Sequence, residues 1–270
     1  MTRITDCFAA LRRRGEAALV PYIMAGDPDL DATRTLIRAA ADAGADLIEL
    51  GVPFSDPTAD GPVIQRAGVR ALRRGTSLRQ ILEMVAELRR GGLELPIVLF
   101  GYYNPIFHYG PERLSTDAAR AGIDALLVVD LPPEEADELW KPARAAGLDV
   151  IFLLAPTSDE RRVRTVLRKA SGFVYFVSMT GITGTKAIEA NEVQRMVEDL
   201  RASCRLPLGV GFGITTPAEA GAVAVYADAV IVGSAIVRLI ESKSGSPQLV
   251  SEVGAFIRTL KDATRPRPAA

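Results

Sequence analysis

The stretch Asp46-Leu-Ile-Glu-Leu-Gly-Val-Pro-Phe-Ser-Asp-Pro-Thr-Ala-Asp-Gly-Pro62 passes from an apolar strand into a proline-stiffened acidic loop and then into a helix. Glu49 stands inside the apolar run, near the strand's exit, and Asp56 and Asp60 stand on the loop. Strand, loop and helix in that order make one unit of a βα fold. An acid at a strand exit with a second on the loop after it is suited to moving protons on a bound small molecule. The alternative makes Glu49 a salt-bridged core residue and the loop acids helix caps. It has to explain the acid inside the strand and the acid behind the loop together.

Working outward, the same unit recurs. β-branched and apolar runs predict strands at Leu19–Ala25, Asp46–Gly51, Pro96–Gly101, Ala125–Val129, Asp149–Leu154, Phe173–Val177, Leu208–Gly211 and Ala229–Val232. Between them, helical periodicity covers Leu30–Ala43, Leu78–Arg90, Pro111–Ala121, Pro133–Ala146, Glu160–Ala170, Glu192–Ala202 and Thr216–Val225. Buried strands alternating with helices imply parallel pairing with right-handed crossovers. Eight such units in a chain of 270 residues predict a single α/β domain over residues 1–270, a (β/α)8 TIM barrel. An extra N-terminal helix at Arg3–Arg14 would close the barrel floor. Further helical residues at Pro62–Arg74 and Val237–Ile240 pad units two and eight, and residues 264–270 read as a frayed tail. A doubly wound sheet is the runner-up, but Ala25-Gly-Asp-Pro28 after the first strand is no GxGxxG turn.

Bulk properties exclude several function classes. Lys plus Arg number 32 against 33 Asp plus Glu, so neither a nucleic acid nor an anionic membrane surface is an expected partner. The clusters Arg12–Arg14, Arg73-Arg74, Arg89-Arg90 and Arg161-Arg162 read as solvated helix faces. No apolar run is long enough to span a membrane, the N-terminus lacks a signal peptide, and Cys7 and Cys204 read as reduced thiols, which together predict a cytoplasmic protein. His108 is the single histidine, so a histidine-based metal site is not expected. The five lysines, Lys141, Lys169, Lys186, Lys243 and Lys261, all fall outside predicted strands, which argues against a Schiff base inside the barrel. Carboxylates are left to do the chemistry.

Barrel enzymes gather their sites on the loops that follow the strands. Gly211-Phe-Gly-Ile-Thr-Thr216 after strand seven and Gly233-Ser234-Ala235 after strand eight are where barrels often hold a phosphate. Glycines there let backbone N–H groups approach an anion, and a helix starting at Ser234 would aim its positive end at the same place. Ser178–Lys186, with Gly181 and Gly184, suits a lid over a ligand. Phe100, Tyr102, Leu127, Tyr175 and Phe212 are candidate apolar walls. The residues alone thus predict cofactor-free acid–base chemistry on a phosphorylated substrate with an apolar part.

The segments Pro21–Pro28, Glu49–Pro62, Tyr103-Asn-Pro105, Thr180–Gly184, Gly211-Phe-Gly213 and Val232-Gly-Ser234 resemble the alpha subunit of tryptophan synthase, in register from about residue 3 to residue 260. The resemblance implies a lyase of tryptophan biosynthesis that cleaves indole-3-glycerol phosphate to indole and glyceraldehyde 3-phosphate. It implies Glu49 and Asp60 as the catalytic acids, phosphate held by Gly184, Gly213, Gly233 and Ser234, and the indole ring among Phe100, Leu127, Tyr175 and Phe212. Thr183 would hydrogen-bond Asp60 when the lid closes. It also implies a partner, a beta subunit in an alpha2beta2 assembly, meeting the surface around Pro53, Asp56, Tyr103–Phe107 and Asp130–Pro133. Pyridoxal phosphate would belong to that subunit, with no cofactor in this chain. Met179-Thr180 departs from the Arg-Ala of some relatives, and Phe100 replaces a smaller aliphatic residue. A stand-alone indole-releasing lyase and a catalytically silent activating subunit remain as alternatives.

Overall fold

A computed structural model of the chain describes residues 2–177, 190–211 and 213–265. Eight strands run β1 (Ala18–Met24), β2 (Ile48–Gly51), β3 (Ile97–Gly101), β4 (Ala125–Val128), β5 (Asp149–Leu154), β6 (Val174–Val177), β7 (Leu208–Gly211) and β8 (Ala229–Val232). Each pairs in parallel with the next, and β8 pairs with β1, so the sheet closes as the sequence predicts. The helix series begins with α1 (Arg3–Arg14), α2 (Leu30–Asp42), α3 (Pro62–Arg73), α4 (Leu78–Arg90), α5 (Tyr103–Tyr109) and α6 (Pro111–Ala121). It continues with α7 (Asp137–Ala145), α8 (Glu160–Lys169), α9 (Ala190–Arg201), α10 (Pro217–Ala224), α11 (Ser234–Lys243) and α12 (Leu249–Ala263).

Period-two alternation sorts the strand residues into two apolar layers. Leu19, Ile48, Leu50, Leu126, Phe152, Phe176 and Val230 face the helices. Val20, Val98, Leu127, Ile151, Phe173, Tyr175 and Ile231 fill the barrel. Ile4, Phe8 and Leu11 of α1 join this inner cluster, with the Phe8 and Phe173 rings 5.8 Å apart, so α1 plugs the floor.

Two helices are absent from the sequence reading. Tyr103–Tyr109, which sequence alone presents as a loop, is helical as α5. No side chain of its own caps it; instead Asp130 Oδ1, from the loop after β4, accepts the Tyr103 N–H at 2.7 Å. A cap supplied 27 residues away leaves no local signature. The long α12 also starts without a capping side chain, and it earns its place by packing on α2. In the other direction, α7 starts at Asp137 rather than Pro133, because Pro132 and Pro133 hold the preceding backbone in turns. Among the described residues, no helix is long and apolar enough to cross a membrane.

Candidate active site

A cavity of about 480 Å³ opens at the C-terminal mouth of the barrel, and both Glu49 and Asp60 line it. Glu49 pairs across to Tyr22 on β1 and Val98 on β3. Strand alternation sends Glu49 and Gly51 inward while Ile48 and Leu50 face the helices. The apolar setting of Glu49 is therefore the barrel interior, and its chain neighbours Ile48 and Leu50, on the opposite face, add nothing to it. Glu49 is 1% exposed, and its Oε1 is buried without a hydrogen-bond partner among the described residues. A bare charge there would cost several kcal/mol, so the group keeps its proton instead. Burial pushes its pKa up to about 8.

Asp60 sits at the end of the acidic loop, just ahead of Gly61 and α3. Burial raises its pKa to about 6, opposed by a hydrogen bond with the Tyr102 hydroxyl. That hydroxyl also accepts the Ala59 N–H at 3.0 Å, and the Asp60 carbonyl accepts Gln65 Nε2 at 2.9 Å. Tyr102 was expected to be an apolar wall, but its working part is the hydroxyl. Near neutral pH, one acid of the pair is thus mainly protonated and the other mainly ionised, which divides the roles of donor and acceptor.

Two further phenols face the same space. Tyr22 and Tyr175 line the cavity, and a Cβ at Gly51 or Gly211 would collide with their respective hydroxyls. Burial holds both phenols well above their ordinary pKa, so both stay neutral. The far wall comes from β7 and β8. Gly213 has φ +84°, a backbone that favours glycine, and Gly233 is the N-cap of α11 with Ser234 as its first residue. No side chain caps α11, so its first-turn N–H groups are left for an anion.

Of the predicted ring pocket, Phe100 and Tyr175 line the cavity and Leu127 does not. Leu127 is fully buried one layer deeper, and Val129, two residues nearer the mouth on the same strand face, takes the lining position. Gly184, Thr183, Phe212 and the Ser178–Lys186 segment with Met179 lie outside the described residues, as do residues 266–270 of the tail. At the expected partner surface, Asp56 is exposed and Pro53 is buried beneath the loop.

Sequence reasoning missed Tyr22, Leu153, Ile231, Ile64 and Arg238, all of which line the cavity. Counting alternate residues inward along each strand would have found the first three. It also missed a network behind the site. Arg70 grips Asp27 through Nε and Nη2 at 2.7 and 2.8 Å and reaches Glu241 at 2.6 Å, while Arg66 holds Glu241 through two bonds of 2.8 Å. It ties α3, which follows the acidic loop, to α11, which begins at Ser234.

Comparison with known proteins agrees with this geometry. A family-wide sequence profile described as "Tryptophan synthase alpha chain" matches residues 8–265. The tryptophan synthase alpha chain of Geobacter sp. (strain M21) is 55% identical, covering 97% of both chains, and that of Gluconacetobacter diazotrophicus is 50% identical over 98% of both. The crystal structure of tryptophan synthase subunit alpha from Legionella pneumophila superposes with a TM-score of 0.91 at 38% identity, covering 98% of both chains. A Mycobacterium tuberculosis tryptophan synthase chain gives 0.89 at 34% identity over 98% of this chain and 99% of that one. By sequence over nearly its whole length and by fold, the chain belongs to the tryptophan synthase alpha chain family.

Proposed function

We propose that this chain cleaves indole-3-glycerol phosphate to indole and glyceraldehyde 3-phosphate, with Glu49 and Asp60 as its acid–base pair. One observation carries the assignment: two carboxyl groups with pKa values of about 8 and about 6 share an apolar cavity with the anion-ready start of α11. The bond to be broken joins indole C3 to the hydroxyl-bearing carbon of the glycerol chain, and an aromatic indole is a poor leaving group. Protonated Glu49 gives its proton to C3, the ring becomes an indolenine cation, and ionised Asp60 balances the charge at the ring N–H. Glu49, now a carboxylate, takes the hydroxyl proton. A C=O bond forms at that carbon, the C3 bond breaks, and its electrons return to the ring as indole. Glu49 ends the cycle protonated, so no redox partner or added cofactor enters the balance.

The ring stacks in the space bounded by Phe100, Tyr175 and Tyr22, and the phosphate meets the backbone of Gly213 and Gly233 and the hydroxyl of Ser234. Leu127 supports this wall from the layer below. Family membership supports a beta subunit as partner, with pyridoxal phosphate held there and no cofactor in this chain, and it supports a cytoplasmic setting. Asp56 on the acidic loop and Phe107 on α5, which is 59% exposed, are candidates for that contact. Docking on this face would press on the loop that carries Asp60 and so would raise turnover. The test is release of glyceraldehyde 3-phosphate from indole-3-glycerol phosphate by the purified chain, with and without a beta subunit. No product in either case would defeat the proposal, and equal rates would favour a stand-alone lyase.

A further inference from the structure

The cavity's formal charges are unevenly placed. Glu49 and Asp60 come from the β2 side, and Arg238 of α11 is the one basic side chain among the described lining residues. Arg238 lies four residues after Ser234, on the same face of the helix. Helical side chains lean toward the N-terminus, so Arg238 leans over the first turn of α11, which Ser234 opens. The arginines across from it on α3 are already committed, Arg66 to Glu241 and Arg70 to Glu241 and Asp27. Arg238 itself is exposed, and no carboxylate pairs with it among the described residues. Backbone amides and one hydroxyl supply only partial charges to a dianion, in a chain whose formal net charge is −1.

We propose that Arg238 is the counter-charge for the substrate's phosphate, drawing that end of the molecule to α11 and away from the two acids. The inference rests on the phosphorylated substrate assigned above. The role is in binding: the charge on the phosphate does not change as the carbon–carbon bond breaks, so Arg238 stabilises ground and transition states alike. Lysine preserves the charge but loses the planar fork, and methionine preserves the stem alone.

The experiment compares the full-length chain with R238M and R238K, measuring steady-state cleavage of indole-3-glycerol phosphate and calorimetric binding of inorganic phosphate. A hydrogen-bonded charge contact near the surface predicts a KM about tenfold higher in R238M, with kcat changed far less and phosphate binding weakened in parallel. R238K should recover most of both, and the KM gap between R238M and the native chain should close as salt is raised. Dephosphorylated indole glycerol should be cleaved equally by all three. A KM and a phosphate affinity unchanged in R238M would overturn the role of Arg238 while leaving the lyase reading intact. Failure of the native chain to cleave the substrate would instead defeat the lyase reading, and the phosphate calorimetry would still test the arginine.

Discussion

Buried carboxyl groups stand at both ends of this barrel, and Glu49 at the mouth is treated in the opposite way to those at the floor. At the floor, Asp124 accepts Arg89 at 2.7 Å, Arg3 at 3.1 Å and the Ile97 N–H at 2.8 Å. Asp149 accepts Arg144 at 2.8 Å and the Thr2 hydroxyl at 2.7 Å, and Asp46 accepts buried Lys261 at 2.9 Å. At the mouth, Glu49 has an Oε1 with nothing to bond among the described residues. Asp46 and Glu49 are only three residues apart at the two ends of one strand run. A paired carboxylate is a fastening, because its charge is compensated and its loss leaves a partner stranded. An unpaired one stays neutral at the cost of burial and keeps a proton to give. The floor holds the barrel closed, and the mouth holds an acid in reserve.

The sharpest way to break this contrast is to exchange the acids for amides. Glu49→Gln should lose at least the roughly 10²–10⁴-fold that general acid–base catalysis supplies, while still binding substrate. Turnover of indole-3-glycerol phosphate near the native rate would leave Glu49 with no special role. Asp60→Asn should be similarly impaired, since an amide cannot hold negative charge beside the ring N–H. The matching change at the floor is Arg89→Met, which takes from Asp124 the nearer of its two arginines and removes donors to the Gly122, Leu93 and Leu95 carbonyls. It should cost about 3–5 kcal/mol in denaturant unfolding and leave the kcat of the folded fraction nearly unchanged. A floor variant that is stable but inactive would erase the division between the two ends.

Titration sharpens the same comparison with a smaller effect. Activity needs Asp60 ionised and Glu49 protonated, so kcat/KM should rise with pH through about 6 and fall through about 8. The sign for stability follows from the raised pKa of Glu49. Between its ordinary value of 4.5 and about 8, the unfolded chain releases a proton that the folded chain keeps. The contribution of Glu49 is therefore complete below pH 4.5 and is lost progressively up to pH 8. Unfolding at a series of pH values should show a decline that continues to about pH 8 in the native chain and ends near pH 6 in Glu49→Gln, where only Asp60, raised in the same way, still contributes. Arg89→Met should retain the decline, displaced to lower stability throughout.

Much of this was legible in the sequence because it depends on local alternation. An acid near the exit of the apolar run Asp46–Gly51 marked the proton-transfer side, and the paired glycine loops after β7 and β8 marked the anion side. What escaped depends on residues that meet only after folding. Asp130 caps α5 from another loop, and Arg70 joins Asp27 to Glu241 across more than 170 positions. Leu127 and Val129 share a strand face and differ by one layer, which depends on strand tilt rather than on sequence pattern. Pro53, placed on the partner surface by the resemblance alone, is buried, and no local pattern in the loop announces that.

The smallest effect tests the boundary between fastening and reserve, because Tyr102 belongs to both. Its hydroxyl accepts the Ala59 N–H, which orders the acidic loop, and hydrogen-bonds Asp60, which favours the ionised carboxylate. Tyr102→Phe keeps the ring against Phe54, whose centroid lies 5.3 Å away, and deletes only the hydroxyl. Without it, burial acts on Asp60 unopposed, so the acidic limb of kcat/KM should move to higher pH while the basic limb, set by Glu49, stays in place. The rate at neutral pH should fall roughly 2- to 10-fold, the worth of one ordinary hydrogen bond. Loss of the Ala59 contact alone would lower the rate evenly across pH. Movement of one limb only is therefore the signature that Tyr102 acts on the charge of Asp60, and a uniform drop would assign it to the loop.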